Sequence, residues 1–274
     1  MRVKIKAKLD KPSFIPFNYQ YQLHAAIINI IQKSSPEYAD FLHKMGFDYK
    51  KEIDNQSVKT LVQKKFKFYT FSYLNFYPYR TTGTGFKNVH YIDFIFSTSV
   101  DKNFEHMILG LFADNQFYLQ FNPQEKATCK IEHVETLPTP VFGTTENFKC
   151  LSPILVRSES EDRKQISLDY LNPDQRLKFI SNIKKNLVRK YEAFYKQNFQ
   201  GINAFDFSFD PEYIAKKNGK ISKLITIPKG EHNIKLRGFY APFTIKTDPK
   251  LIEMGYSAGF GVNNAMGLGC VEKI

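Results

Sequence analysis

The chain has 274 residues, 42% hydrophobic and 24% charged, a composition typical of a folded globular protein with room for two small domains. Lysine and arginine number 39 against 27 acidic residues, and the resulting net charge of +12 favours a polyanionic partner such as nucleic acid. Three cysteines without a CxxC pair argue against a disulfide framework and a zinc site, and the absence of long apolar runs predicts a soluble cytoplasmic protein without a membrane partner.

The first half of the chain predicts the order strand, helix, strand, strand, helix, strand. Arg2 to Leu9 alternate between basic and apolar side chains, as in a half-buried strand, and Pro12 and Pro16 are expected to end it. The elements predicted next are a helix at Gln20–Lys33, a short helix to about Lys44, a polar loop at Asp48–Lys65, strands at Lys67–Phe76 and Val89–Thr98, a helix at Asp101–Asp114 and a strand at Lys126–Leu137. This order is that of a ferredoxin-like unit.

The second half repeats the layout of the first but not its residues. Its predicted elements are a strand at Phe148–Val156, a basic helix at Pro173–Gln197, a strand at Asn203–Phe209, a lysine-rich excursion at Tyr213–Gly230, a strand at Asn233–Thr247, a short helix at Pro249–Tyr256 and a strand at Gly267–Ile274. Pro138, Pro140 and Gly143 indicate a break between the halves. We therefore predict an α+β protein of two tandem ferredoxin-like units, residues 1–140 and 141–274.

The stretch GFGVNNAMGLGCV begins at Gly259 and has glycines on both sides of a polar centre. Glycine tolerates positive φ and lets another backbone approach closely, so such a loop can present N–H groups to phosphates. An ordinary glycine-rich turn before a strand would show the same spacing. The predicted RNA-binding residues of the loop are Gly259, Gly261, Asn263, Asn264, Gly267 and Gly269.

The segment from Pro211 to Lys250 carries nine basic and three acidic residues, a net charge of +6. Lys235 and Arg237 alternate in a strand pattern, so they should share one face that can follow phosphates. A solvated lysine-rich surface would have the same composition. The position of the segment before the glycine-rich stretch favours RNA binding.

Two stretches carry a resemblance to a known family. GYSAGFGVNNAMGLGCVEKI resembles the glycine-rich loop of the CRISPR-associated repeat-processing endoribonucleases, members of the repeat-associated mysterious protein (RAMP) superfamily. IPFNYQYQLHAAIINIIQKSSPEYADFLH, ending at His43, resembles that family's helical region near its catalytic histidine. The resemblance implies two tandem ferredoxin-like units and CRISPR repeat RNA as the partner.

The six histidines form no HxxxH or HExxH pair, and no carboxylate cluster is suited to magnesium, so we expect neither a metal nor another cofactor. RNA can be cut without metal, because its 2′-hydroxyl is itself a nucleophile. A base must remove the proton of that hydroxyl, an acid must protonate the leaving 5′-oxygen, and a cation must stabilise the charged phosphorane. Histidine suits the proton transfers and lysine the electrostatic role.

The resemblance places the catalytic histidine at His43 and the catalytic lysine at Lys67, with Lys64 or Lys65 as alternatives. The family's helix tyrosine falls on Ile28, which cannot transfer a proton. His24 lies one helical turn earlier, off the apolar stripe, and is the candidate replacement in a His24–His43 pair. Alternatively, His24 only contacts RNA.

The function implied by the resemblance is metal-independent cleavage of CRISPR repeat RNA in the precursor transcript to generate crRNA. Attack by the 2′-hydroxyl would leave 2′,3′-cyclic phosphate and 5′-hydroxyl ends. The alternative is a non-cutting crRNA-binding subunit of a multisubunit CRISPR effector complex. A homodimer is also left open.

Overall fold

This computed structural model describes residues 1–55, 58–122, 124–159, 165–201, 204–229 and 232–274. Its two largest sheets have seven strands and four strands. Neighbouring strands in both sheets are antiparallel. Among the described residues, no helix combines the length and the apolar character needed to cross a membrane.

The first sheet is built from the first half of the chain. Its half contains β1 (Arg2–Pro16), α1 (Gln20–Ser34), α2 (Pro36–Asp40), a π-helical turn (Phe41–Met45), β2 (Phe47–Asn55), β3 (Val58–Phe66), β4 (Tyr69–Phe71), β5 (Asn75–Tyr77), β6 (Arg80–Thr81), β7 (Gly85–Thr98), α3 (Asp101–Asp114), β8 (Gln116–Gln120) and β9 (Lys126–Leu137). The strand order is β4-β7-β1-β9-β8, with β5 and β6 also paired to β7. The apolar faces of α1 and α3 pack in one core with Val3, Ile5 and Ala7 of β1.

The second sheet is built from the second half. Its half contains β10 (Thr145–Cys150), β11 (Arg157–Glu159), β12 (Gln165–Ser167), α4 (Pro173–Tyr195), β13 (Asp206–Phe209), α5 (Pro211–Lys216), β14 (Ser222–Lys229), β15 (His232–Phe239), β16 (Phe243–Lys246), α6 (Pro249–Ala258), a 3₁₀ turn (Asn264–Met266) and β17 (Val271–Lys273). The order β13-β16-β10-β17 is again that of a ferredoxin-like unit, so the predicted α+β fold class is confirmed.

The prediction of a polar loop at Asp48–Lys65 is wrong, because this stretch forms a hairpin of β2 and β3. The sequence there is rich in lysine and lacks the apolar alternation that marks a half-buried strand. At the base of the hairpin, Tyr49 is buried and its hydroxyl donates to Glu192 of α4 at 2.9 Å. Leu61, further out, is 60% exposed. Backbone pairing holds the two strands together, and at the base Tyr49, Val62 and Phe66 join an apolar cluster that includes Ala193 of α4.

Several predicted strand ends are also wrong. β1 continues through Pro12 to Pro16, because its pairing with β7 is irregular between Lys8 and Ser13, where a proline without an N–H is tolerated. The stretch predicted as one strand at Asn233–Thr247 forms two strands. β15 pairs with β14, whereas β16 belongs to the second sheet. The strand predicted from Phe148 ends at Cys150, and the last strand is shorter than predicted at Val271–Lys273. The strand predicted from Asn203, which lies outside the described residues, is β13, and the lysine-rich excursion contains α5 and β14.

Arg2 joins the two sheets. Its side chain is 1% exposed and stacks on the Tyr256 ring, 3.7 Å from the ring centroid. The guanidinium donates to the carbonyl oxygens of Tyr256 at 3.2 Å and Val271 at 2.7 Å. Residues 138–144 connect β9 to β10. The division of the chain at residues 140 and 141 stays a prediction.

Candidate active site

His43 lies in the π-helical turn that follows α2. The Ser35 hydroxyl caps α2 by accepting the N–H of Tyr38 at 3.2 Å. The turn ends at Gly46, where φ is +68° and a Cβ would lie 2.8 Å from the carbonyl oxygen of Phe66. This glycine lets the chain reverse closely against the end of β3. The reversal leaves the side chain of His43 exposed.

Lys67 is held beside His43. Its Nζ donates to the carbonyl oxygen of His43 at 3.1 Å. Asn103, a fully buried residue of α3, fixes the lysine backbone by donating from Nδ2 to the Lys67 carbonyl at 3.0 Å. Burial lowers the pKa of Lys67. Of the three candidate lysines, Lys67 has this contact, whereas Lys65 contacts Met45 at 3.9 Å.

His24 is buried in α1, so the prediction that it lies off the apolar face is wrong. Its Nδ1 lies 3.4 Å from the Tyr69 hydroxyl. The pKa of His24 is lowered to about 4, mainly because the side chain is buried. The charges of Lys67 and His43 also lower this pKa, whereas a hydrogen bond with the Ala265 backbone raises it. His24 is therefore neutral at pH 7 and suited to accept a proton rather than to donate one.

Two neighbouring cavities meet at these side chains. The smaller, which we call the apolar pocket, has a volume of about 430 Å³ and is lined by His24, Ile28 and His43 among others. The larger, which we call the basic groove, has a volume of about 720 Å³ and is lined by His24 and all three candidate lysines. The structure thus brings the three predicted catalytic residues to one place. Within the described chain, no three His, Cys, Asp or Glu side chains are grouped as a metal site.

The basic groove contains cations that the sequence analysis did not single out. They are Arg157 of β11 and Lys185 and Arg189 of α4, and the buried Lys190 and the acidic Glu159 also line the groove. Lys185 and Arg189 lie four residues apart, so their common helix face could have been predicted from spacing. Arg157 had no such signal, because a hairpin in the second half brings it to the groove.

The glycines of the loop pack against protein. Gly259, Gly261, Gly267 and Gly269 are all buried and all have positive φ. A Cβ at Gly261 would meet the carbonyl oxygen of Leu155, and one at Gly267 would meet the Phe71 ring. A side chain added at Gly267 would therefore enter the protein core rather than space open to a phosphate.

The two asparagines of the loop differ in role. Asn264 is buried; its Nδ2 donates to the carbonyl oxygens of Phe260 at 3.0 Å and Leu268 at 2.8 Å, and its Oδ1 accepts from Lys190 at 2.7 Å. Asn263 is half-buried and lines both cavities. Asn264 thus holds the loop, while Asn263 is the predicted RNA-binding asparagine that faces the site.

Lys235 and Arg237 are exposed on β15 but are not brought to the two cavities. Ile234 and Leu236, the alternating residues, line the apolar pocket. Side chains alternate between the faces of a strand, so the two cations project from the other face. Arg237 lies 4.0 Å from Asp169.

Comparisons with known proteins find the same family over both halves of the chain. A family model for the C-terminal part of CRISPR associated protein Cas6 matches residues 137–273, half of the chain. The protein named CRISPR-associated endoribonuclease Cas6 1 of Methanocaldococcus jannaschii is 28% identical over 275 aligned residues, covering 100% of this chain and 93% of that protein. CRISPR-associated endoribonuclease Cas6 of Pyrococcus furiosus is 26% identical over 270 residues, covering 96% and 85%. A solved structure described as CRISPR associated protein Cas6 matches with a TM-score of 0.72 at 26% identity, covering 100% and 99% of the two chains.

Proposed function

The chain belongs to the Cas6 family, and we propose that it is an endoribonuclease that cleaves CRISPR repeat RNA in the precursor transcript without a metal ion. Two relatives that match along nearly the whole chain are named CRISPR-associated endoribonucleases. The observation that carries the proposal is the position of His43 beside Lys67 and His24, where a basic groove meets a second cavity. A basic groove suits the phosphates of RNA.

In the proposed reaction, the 2′-hydroxyl oxygen forms a bond to the adjacent phosphorus and the bond from phosphorus to the 5′-oxygen breaks. A base takes the proton of the 2′-hydroxyl, and an acid supplies a proton to the 5′-oxygen. The products carry 2′,3′-cyclic phosphate and 5′-hydroxyl ends. Lys67, whose ammonium is already held at the His43 carbonyl, stabilises the added negative charge on the phosphorane.

We assign the larger part of the acid–base catalysis to His43, because its side chain is exposed at the apolar pocket. His24 can accept a proton, but a base whose pKa is lowered to about 4 is a weak one for removing the proton of a hydroxyl. Its contacts with Tyr69 and Ala265 also suit it to hold α1 against the glycine-rich loop. We therefore expect His24 to contribute less to the rate than His43.

The test is single-turnover cleavage of the protein's own repeat RNA in EDTA, with identification of the product ends. His43→Ala should slow cleavage roughly 10²–10⁴-fold while the RNA dissociation constant hardly changes. His133→Ala is the matched control, because His133 is exposed on β9 and lines neither cavity.

Three results would contradict parts of the proposal. Cleavage that stops in EDTA and returns with magnesium would reject the metal-independent reaction. Tight binding without cleavage would favour the non-cutting crRNA-binding subunit. Unchanged cleavage by His43→Ala would reject the active-site assignment but leave the family membership intact.

CRISPR repeat RNA is the partner that we propose, and the cytoplasm is the expected place of action. The chemistry above requires no second protein chain. A mass measurement on the protein and on its RNA complex would decide whether it forms a homodimer. Co-purification from native cells would test whether it joins a multisubunit effector complex.

A further inference from the structure

The apolar pocket has walls that the proposed chemistry does not use. Ile28 comes from α1, Ile227 from β14, Ile234 and Leu236 from β15, and Met266 from the 3₁₀ turn of the glycine-rich loop. Cross-strand pairing places Ile227 opposite Ile234, so the two side chains form one continuous apolar surface. Five apolar side chains from both halves of the chain therefore converge beside His43.

Besides His24, His43 and Arg157, the pocket is lined by two side-chain amides, and no acidic side chain in the described part of the chain lines it. Asn29 and Asn263 line it, and each side-chain amide offers both hydrogen-bond donors and an acceptor. Tyr21, which is 44% exposed, also lines it and presents an aromatic ring. An apolar wall, an exposed ring and a few amides suit a flat molecule with apolar faces and polar edges.

The pocket adjoins the basic groove. His24, Arg157, Asn263 and Met266 line both cavities. An RNA strand whose phosphates follow the cations of the groove to His43 can therefore place a neighbouring base at the mouth of the pocket. The volume of about 430 Å³ lies in the range of small-molecule sites.

We propose that the apolar pocket binds one unpaired nucleobase, that of a nucleotide adjoining the scissile phosphate. This inference rests on the proposed function and adds a determinant of the cut site to it. The base enters with its faces against the isoleucines and its edge toward the asparagine amides. Seating the base fixes the adjoining sugar and phosphate beside His43, so the cut falls next to a nucleotide that is free to leave its stack.

The test compares intact repeat RNA with two RNAs that carry an abasic site on either side of the cut. With the parent protein, one of the two abasic RNAs should be cleaved about 5- to 150-fold more slowly, the range expected for loss of one stacked base. Ile234→Trp should fill the pocket, because Ile234 lines it from an exposed position on the hairpin. In that variant the intact RNA should be cleaved slowly, and the penalty for the abasic site should disappear.

Leu224→Trp is the matched control, because Leu224 is exposed on the same hairpin and does not line the pocket. It should keep the parent's abasic penalty, and a thermal melt of each variant checks folding. Equal cleavage of all three RNAs by the parent, or an abasic penalty that persists in Ile234→Trp, would overturn the inference. If the parent does not cleave, the proposed function fails, and the same comparison of dissociation constants still decides whether the base is bound.

Discussion

Lys190 offers a prediction that can be worked from the structure. It is 2% exposed on α4, and its Nζ donates to the carbonyl oxygens of Gly259 and Gly261 and to Oδ1 of Asn264. Burial lowers the pKa of this lysine from 10.5 to about 7. The perturbation is Lys190→Met, which keeps most of the side-chain volume and removes the ionisable group.

The expected magnitude follows from proton linkage. Between pH 7 and pH 9, the unfolded chain keeps the lysine protonated while the folded chain releases its proton. The unfolded state then binds more protons, so this group makes the parent more stable as the pH rises. Over these two pH units the advantage of the parent over Lys190→Met should grow by about 2 kcal/mol, at roughly 1.4 kcal/mol per unit.

The assay is urea unfolding of the parent and Lys190→Met at pH 7 and pH 9, with a reductant present for the three cysteines. Lys185→Met, exposed on the same helix, controls for the loss of one positive charge. Other titrating groups are common to both proteins and cancel in the difference. A difference in unfolding free energy that stays constant from pH 7 to pH 9 would show that the three acceptors keep the lysine charged, and would refute the reasoning from burial.

Three further predictions concern RNA. Asn263→Ala should weaken repeat-RNA binding about 2- to 10-fold, the value of one hydrogen bond, without lowering Tm. Gly267→Ala should lower Tm, because the added Cβ meets the protein core. If a folded Asn263→Ala variant binds the RNA as tightly as the parent, the loop is not part of the interface. Reversing Lys235 and Arg237 to glutamate should reduce the salt slope of binding by roughly 0.7 per lost phosphate contact, and an unchanged slope in a salt titration would show that RNA avoids that face. His24→Ala should slow single-turnover cleavage less than His43→Ala does. Equal rate losses in the two variants would contradict the secondary role of His24.

Helices were predicted well where the apolar spacing was strong. The helix predicted at Asp101–Asp114 has those bounds in the structure, and the predicted strand at Lys126–Leu137 is β9. The β2–β3 hairpin could not be predicted in the same way, because its lysine-rich sequence lacks the apolar alternation of a half-buried strand. Tertiary contacts at the base, such as that between Tyr49 and Glu192, are not visible in local periodicity.

The candidate site was only partly within reach of the sequence. His43 and Lys67 came from the family resemblance, since a lone histidine and a lysine in a basic protein carry no signal of their own. The structure adds the reason that they meet, which is the close turn at Gly46. Arg157 reaches the basic groove from a hairpin in the other half of the chain, and no spacing along the sequence encodes that convergence.

The buried contact of Arg2 has a consequence for the order of folding. Its guanidinium finds its acceptors at Tyr256 and Val271, 254 and 269 residues further along the chain. During synthesis, β1 can pair with β7 and β9 long before those carbonyls leave the ribosome. Until then the guanidinium must stay hydrated at the edge of an unfinished interface, because a buried cation without acceptors is costly. The first sheet can therefore form early, but its contact with α6 and β17 closes only when nearly the whole chain has been made.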